Sequence, residues 1–182
     1  MDKELLRQKF ILKRKSLRLE VVAVKSKRVF ENFKVFDFKT NIKNALIYLP
    51  INNEVDTSSI TNYLRRAEVD LFLPAYEKST WIVSEFVDDA LTSGQFGTLQ
   101  PAQVNSVDVN YLDLAILPGV AFLKNGFRLG YGKGVYDKLL MNFSGIKVGL
   151  AYDFQVVDTF TPEEHDVQMD YLITESRAVK TR

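Results

Sequence analysis

Apolar positions open this chain at near-helical spacing: Leu6, Phe10 and Leu17 follow Asp2, a residue type suited to capping a helix start. Arg7, Lys9, Lys13, Arg14, Lys15 and Arg18 surround them, which predicts a basic amphipathic helix. A second helix is expected where Val22, Val29, Phe33 and Phe36 share one side, ending near Asp37. The period then changes. Ala45-Leu46-Ile47-Tyr48-Leu49-Pro50 is a short apolar run of the kind buried strands use, and Asp56-Thr57-Ser58-Ser59 offers caps for a helix over 60–67. Strand signatures return at 71–74, 80–83, 114–118, 147–152 and 171–174, with a helix expected over 135–143 and a capped helical turn over 161–164. Strands that alternate with helices and read as unbroken apolar runs predict an α/β domain spanning 1–182. Its expected form is a three-layer, Rossmann-like α/β/α arrangement with a mainly parallel central sheet and two N-terminal helices. Ligands in such sheets sit outside the carboxyl ends of the strands, so the chemistry is expected after Pro50, Pro74 and Pro118.

Composition narrows the classes. The 182 residues suit one domain, and a hydrophobic share of 46% excludes disordered and fibrous chains. Without cysteine there is no disulfide scaffold and no thiol chemistry, and one histidine rules out a multi-histidine metal site. No apolar run approaches the roughly 18 residues that cross a bilayer, and no signal-peptide pattern follows Met1, so a cytoplasmic location and no membrane partner are expected. The net charge of +1 argues against a general polyanion binder, yet it conceals a split. Residues 1–43 hold 13 basic against 5 acidic residues, net +8, and 44–182 hold 11 against 18, net −7. A basic end on an acidic body suits a site for a phosphate or another anion.

The densest chemical signal runs from Pro118 to Lys138. Gly130, Gly132 and Gly134 alternate there with Tyr131 and Lys133, Arg128 precedes them, and Asp137 follows. Glycines let backbone N–H groups approach an anion, Arg128 and Lys133 add charge, and Asp137 could share a hard cation with phosphate oxygens. The spacing is neither a Walker motif nor a dinucleotide fingerprint. On residue types alone a flexible turn with a solvated lysine explains the segment equally well.

The segment resembles the signature of the 5-formyltetrahydrofolate cyclo-ligase family, approximately Pro-Gly-x-Ala-Phe-Asp-x-x-Gly-x-Arg-Leu-Gly-x-Gly-x-Gly-Tyr-Tyr-Asp. Lys3-x-x-x-Arg7, Leu49-x-x-x-x-Glu54 and His165-Asp166 followed by Asp170–Glu175 extend the likeness over nearly the whole chain. The resemblance implies ATP- and Mg²⁺-dependent cyclisation of 5-formyltetrahydrofolate to 5,10-methenyltetrahydrofolate, and a monomer with no nucleic-acid partner is expected. It implies that ATP is contacted by Lys3, Arg7, Arg128, Leu129, Gly130, Tyr131, Gly132, Lys133, Gly134, Val135 and Tyr136, with Arg128 and Lys133 catalytic. It also implies that folate is contacted by Leu49, Glu54, Gly132, Lys133, Gly134, Val135 and Tyr136, and that magnesium is held by Asp137 and Asp166. Trp81, Tyr131, Tyr136 and Tyr152 are candidates to stack on a pterin, although a strand tryptophan is more often core. His165 reads as a packing or capping residue rather than a catalyst. Three positions depart from the family pattern: Val135 where tyrosine is usual, Leu123 where aspartate is frequent, and Gln100 where glutamate is common. Two other readings stay open, a nucleotide- or nucleic-acid-binding module and a folate binder without turnover.

Overall fold

The computed structural model describes residues 2–38, 41–87, 90–163 and 166–182. Both basic N-terminal segments are helical, α1 (Lys3–Lys15) and α2 (Leu19–Phe33). Asp2 caps α1 by accepting the Glu4 N–H at 2.8 Å. After α2, one turn of 3-10 helix stops at Asp37, whose φ of 42° reverses the chain.

The remaining elements are β1 (Asn44–Leu46), α3 (Ser58–Arg66), β2 (Asp70–Glu77), β3 (Thr80–Glu85), β4 (Leu91–Ser93), β5 (Leu99–Pro101), β6 (Ser106–Val107) and β7 (Leu114–Pro118), followed by β8 (Ala121–Leu123), β9 (Arg128–Leu129), α4 (Val135–Leu139), β10 (Ile146–Leu150), β11 (Val156–Val157), β12 (Tyr171–Ile173) and β13 (Ala178–Lys180). Eight strands form the main sheet in the order β13-β12-β10-β7-β1-β2-β3-β6. The five from β12 to β2 are parallel, as the apolar runs predict, while β13, β3 and β6 join the margins antiparallel.

The runs lack polar alternation because both faces are covered. Ala45, Ile47, Leu71, Leu73, Leu114 and Ile116 pack on one face with Val29 and Phe33 of α2 and Ile60 and Leu64 of α3. Their alternates Leu46, Phe72, Ala115 and Leu117 pack on the other face with Phe122, Leu140 and Phe143. Each valine, leucine, isoleucine or phenylalanine among them contributes about 1.5–3 kcal/mol on removal from water, before conformational entropy is subtracted. Helix is sparse on that second face, where α4 is joined by the small sheet β11-β8-β9.

Three local expectations are corrected. The helix expected over 135–143 stops at Leu139, because the chain turns so that Leu140 and Phe143 both enter the core. Residues 161–163 are not helical; the Asp166 carboxylate accepts the Glu163 N–H at 2.8 Å instead, and Glu164 and His165 lie outside the described residues. The strand expected to end at Pro74 continues to Glu77, which proline tolerates because the last hydrogen bond from β1 into β2 is Ile47 N–H to Phe72 C=O. The 80–83 strand is the antiparallel partner of β2, since Glu77 faces Thr80 across a two-residue turn.

That turn, Lys78-Ser79, has φ values of 47° and 67°, a conformation that Asn-Gly adopts without strain. The double substitution K78N/S79G is therefore expected to stabilise the protein by about 1 kcal/mol, raising the thermal midpoint by roughly 2–4 °C in a melting experiment.

Candidate functional site

Strand order reverses between β1 and β7: from β1 the chain crosses over α3 to β2 on one side, whereas β7 leads to β10 and β12 on the other. Segments leaving the carboxyl ends of β1 and β7 diverge there, and a cleft of about 250 Å³ opens. Tyr48, Leu49, Ile51, Asn52 and Glu54 come from the β1 side, Pro74 and Trp81 from the β2–β3 hairpin, and Pro118 from β7. Arg128 and Gly130 to Asp137 close the opposite wall, apart from Gly132.

Two glycines of that wall do different work. Gly132 has a φ of 85°, which side-chain-bearing residues rarely adopt, and its backbone lies against the Arg7 guanidinium. Gly130 has no unusual φ, but a Cβ there would stand 2.7 Å from Nη1 of Arg128. Glycine at 130 thus makes room for a buried cation. Arg128 is 4% exposed, donates to Asp137 Oδ1 at 2.8 Å and lies over the Tyr136 ring, while its Nε has no hydrogen-bond partner. A buried guanidinium at a cleft wall with one N–H unsatisfied is suited to an anionic ligand. The helix behind this loop, α4, has only five residues, so the anion-binding character expected of its N-terminus rests on the loop and its cations.

Across the cleft a carboxylate is held from three sides. Glu54 is 4% exposed; Oε2 accepts the Ile51 N–H at 3.0 Å, and Oε1 accepts the Tyr131 hydroxyl at 3.1 Å and Arg14 Nη2 at 3.4 Å. Burial pushes this carboxyl above its ordinary range, opposed by Arg14, the Ile51 N–H and Tyr131. The Tyr131 hydroxyl is pushed up to about 12, chiefly by burial and then by the Glu54 charge. Burial also raises Tyr136 and Tyr48. These phenols therefore stay neutral donors at physiological pH.

An aromatic wall completes the cleft. Trp81 stacks on Phe96 at 6.3 Å and 23°, and Lys133 Nζ rests 5.4 Å from the centre of the Phe96 ring. Trp81 thus lines the site and is not the core residue that base expectation favours for a strand tryptophan. The hairpin β4–β5 that carries Phe96 is fastened by Gln100, whose Oε1 accepts the Tyr76 N–H at 3.0 Å and whose Nε2 donates to the Tyr76 carbonyl at 3.4 Å. A glutamate could not make the second bond, so the neutral residue at 100 has a structural use.

Among the sequence-predicted residues, Leu49, Glu54, Arg128, Gly130, Tyr131, Lys133, Gly134, Val135, Tyr136 and Asp137 line the cleft. Arg7 supports it from outside, its Nε donating to the Gly130 carbonyl at 3.0 Å. Leu129 points away into the core with Leu6 and Phe10, and Leu123 is buried in the same cluster. Tyr152 is buried too, its hydroxyl donating to the Glu54 carbonyl at 3.2 Å. Lys3 contacts Glu163 at 2.8 Å and Asp166 at 2.9 Å; burial would lower its pKa, but those two carboxylates leave it raised. The Val167 N–H reaches Asp137 Oδ1 at 3.4 Å, which brings the Asp166 segment beside Asp137. Among the described residues no three acidic or histidine side chains cluster as a metal cage. A pair of carboxylates is a donor type that magnesium takes together with waters and phosphate oxygens.

Sequence reasoning missed Arg14 and Phe96. Arg14 is 1% exposed, although it reads as one of six cations around α1. The signal was its position four residues after Phe10, on the apolar stripe itself. Phe96 sits in an irregular turn with a φ of 59°, and no periodicity marks it.

Comparison with known proteins places these features in context. The model of the 5-formyltetrahydrofolate cyclo-ligase family matches residues 1–175. A 5-formyltetrahydrofolate cyclo-ligase of Mycoplasma pneumoniae is 30% identical over 179 residues, covering 96% of this chain and 99% of its own. That of Haemophilus influenzae is 34% identical over 136 residues, 70% of this chain and 73% of the relative. The NMR structure of Aquifex aeolicus 5,10-methenyltetrahydrofolate synthetase matches with a TM-score of 0.87 and 36% identity, covering all of this chain and 94% of that one.

Because the carboxyl of Glu54 is raised in the folded state, the native protein binds a proton more readily than the unfolded chain does. The Glu54 contribution is therefore present at low pH and lost as pH rises through the folded value. Urea unfolding measured from pH 4 to 8 is expected to show this loss, with a slope of at most about 1.4 kcal/mol per pH unit, in wild type and not in E54Q.

Proposed function

The chain belongs to the 5-formyltetrahydrofolate cyclo-ligase family, and we propose that it converts 5-formyltetrahydrofolate to 5,10-methenyltetrahydrofolate at this cleft, consuming ATP and releasing ADP and phosphate. The observation that carries the reading is the pairing of two unlike walls: a glycine loop with buried Arg128 on one side, and a buried acceptor, Glu54, beside an aromatic platform on the other.

A formamide oxygen is a weak nucleophile, and hydroxide would be a poor leaving group. Transfer of a phosphoryl group to the formyl oxygen solves the second difficulty: N10 attacks the formyl carbon, the N10 proton is lost, and the C–O bond breaks with release of phosphate. The protein's share is positioning and charge stabilisation. Glu54 accepts hydrogen bonds from N–H groups of the pterin, and Trp81 and Phe96 flank its flat ring. Arg128 and Lys133 bind phosphate oxygens, and backbone N–H groups from Gly130 to Gly134 share that task. Lys133 reaches those oxygens by leaving the Phe96 ring, while Arg7 holds the loop. Asp137 and Asp166 would hold magnesium, which supplies neutralisation of phosphate charge. Lys3, now on Asp166, would then turn to phosphate. The setting is a monomeric cytoplasmic enzyme with no nucleic-acid partner; among the described residues no helix is long and apolar enough to cross a membrane.

Purified protein given ATP, Mg²⁺ and 5-formyltetrahydrofolate is expected to generate the near-ultraviolet chromophore of the methenyl product with equimolar ADP. Neither appearing would overturn the reading. K133A and D137N are each expected to lower kcat by about 100-fold or more while the circular dichroism spectrum stays unchanged. Wild-type rates in both would remove the glycine loop from the chemistry.

A further inference from the structure

Arg14 lies outside the residues that the motifs single out, and it is the most completely buried cation described, at 1% exposure. Its guanidinium makes contacts in four directions. Nε donates to the Asn52 carbonyl at 2.9 Å, Nη1 to the Gly119 carbonyl at 3.0 Å, and Nη2 to both Glu54 Oε1 at 3.4 Å and the Tyr131 hydroxyl. These four partners belong to the segments that meet at the cleft: Asn52 and Glu54 after β1, Gly119 after β7, and Tyr131 in the glycine loop. We propose that Arg14 is a positioning residue for folate, a single α1 side chain that fixes the Glu54 carboxylate and, through Tyr131, the facing glycine loop in mutual register.

The geometry favours this over a purely structural role. An arginine needed only to tie α1 to the sheet would be satisfied by the two carbonyls. Here the remaining nitrogen is spent on the hydroxyl and carboxylate that line the cleft, and the Tyr131 hydroxyl passes the contact on by donating to the same Glu54 oxygen. Every group bonded to Glu54 through its side chain is a donor, which an ionised acceptor requires. The charged and titratable groups facing it are Arg14 from α1, Arg128 from β9, Tyr131 and Tyr136 from the loop and α4, and Tyr48 and Tyr152 behind it. Of the two cations Arg14 alone touches it. Lysine keeps the charge but has no planar fork to reach both Tyr131 and the carbonyls.

This inference rests on the cyclo-ligase reading, and its test separates the two. Trp81 is the chain's one tryptophan and lines the cleft, so its fluorescence reports 5-formyltetrahydrofolate binding without turnover. Titrations of wild type, R14K, Y131F, E54Q and R14K/E54Q from pH 5.5 to 8.5 are compared, with thermal midpoints alongside. R14K and Y131F are expected to weaken folate binding at least 10-fold at pH 7. In Y131F the acid limb of binding should move to higher pH, since Glu54 has lost a donor. Adding R14K to E54Q should cost clearly less than R14K costs alone, because the carboxylate that Arg14 positions is gone and only its contact with Tyr131 remains to be lost. Wild-type affinity in R14K and Y131F, or a loss in R14K/E54Q equal to the product of the single losses, would overturn the proposal. A lowered thermal midpoint with unchanged affinity and acid limb would overturn it as well, leaving Arg14 a structural tie. Should R14K not fold, Y131F alone decides, since it leaves the Arg14–Glu54 pair in place. Wild type that neither binds nor turns over 5-formyltetrahydrofolate would instead overturn the cyclo-ligase reading.

Discussion

A guanidinium buried beneath the carboxyl edge of the sheet is the constraint on which the site depends. Removing a cation from water costs several kcal/mol, and the cost is met only when geometry satisfies its donors. Arg14 is satisfied by two carbonyls, a hydroxyl and a carboxylate, so the backbone around Asn52 and Gly119 must lie where it does for the fold to be tolerated. The same logic runs from the carboxylate's side. Burial at 4% exposure favours the neutral form of Glu54, and Arg14, the Ile51 N–H and Tyr131 oppose that by donating to its oxygens. Charge and loop conformation are thus one problem with one solution.

The sheet supplies the place for this pair. β1 has only three paired residues before its chain leaves the ladder, so Tyr48 to Glu54 are free to curve over the edge while β2 continues beneath them as far as Glu77. The extension of β2, with β3 hydrogen-bonded along it, raises Pro74 and Trp81 to the height of the cleft. Gln100 then fixes the β4–β5 hairpin to Tyr76, placing Phe96 on Trp81. A flat apolar wall therefore comes from antiparallel additions to the sheet, and the polar walls come from the parallel centre.

These origins explain what the amino-acid pattern disclosed. Apolar runs report burial on two faces, which is why the parallel centre and the region of the candidate site were legible, whereas helical spacing of apolar positions marked the two N-terminal helices. Residues that act through backbone spacing were legible too, because glycine at 132 answers a φ of 85°. Pairing direction was not legible at 80–83, since the turn that sets it uses Lys78-Ser79 instead of the Asn-Gly that would announce a hairpin. Arg14 was hidden by its neighbours: within Lys13-Arg14-Lys15 the charges look alike, and only helical phase distinguishes the buried one. Leu129 shows the converse, a motif position whose side chain belongs to the core.

The charge split between the two ends of the chain takes on a different meaning once the cations are placed. Arg14 is internal, Arg7 is bonded to the Gly130 carbonyl, Lys3 joins Asp166 and Glu163, and Lys25 joins Glu175. Lys13 lies over Phe154. These five cations of the basic end are therefore committed to acidic, carbonyl or aromatic partners in the body. Part of the excess of +8 against −7 is an attraction of Lys3, Arg14 and Lys25 for carboxylates of the body. Lys3 and Arg7 stand at the end of that contact where it meets the glycine loop. Under the proposed function a phosphate ligand there would replace the carboxylate partners of Lys3 with phosphate oxygens while Arg7 keeps its hold on the loop, so the attraction that docks the helix would also keep a cation at hand for the nucleotide.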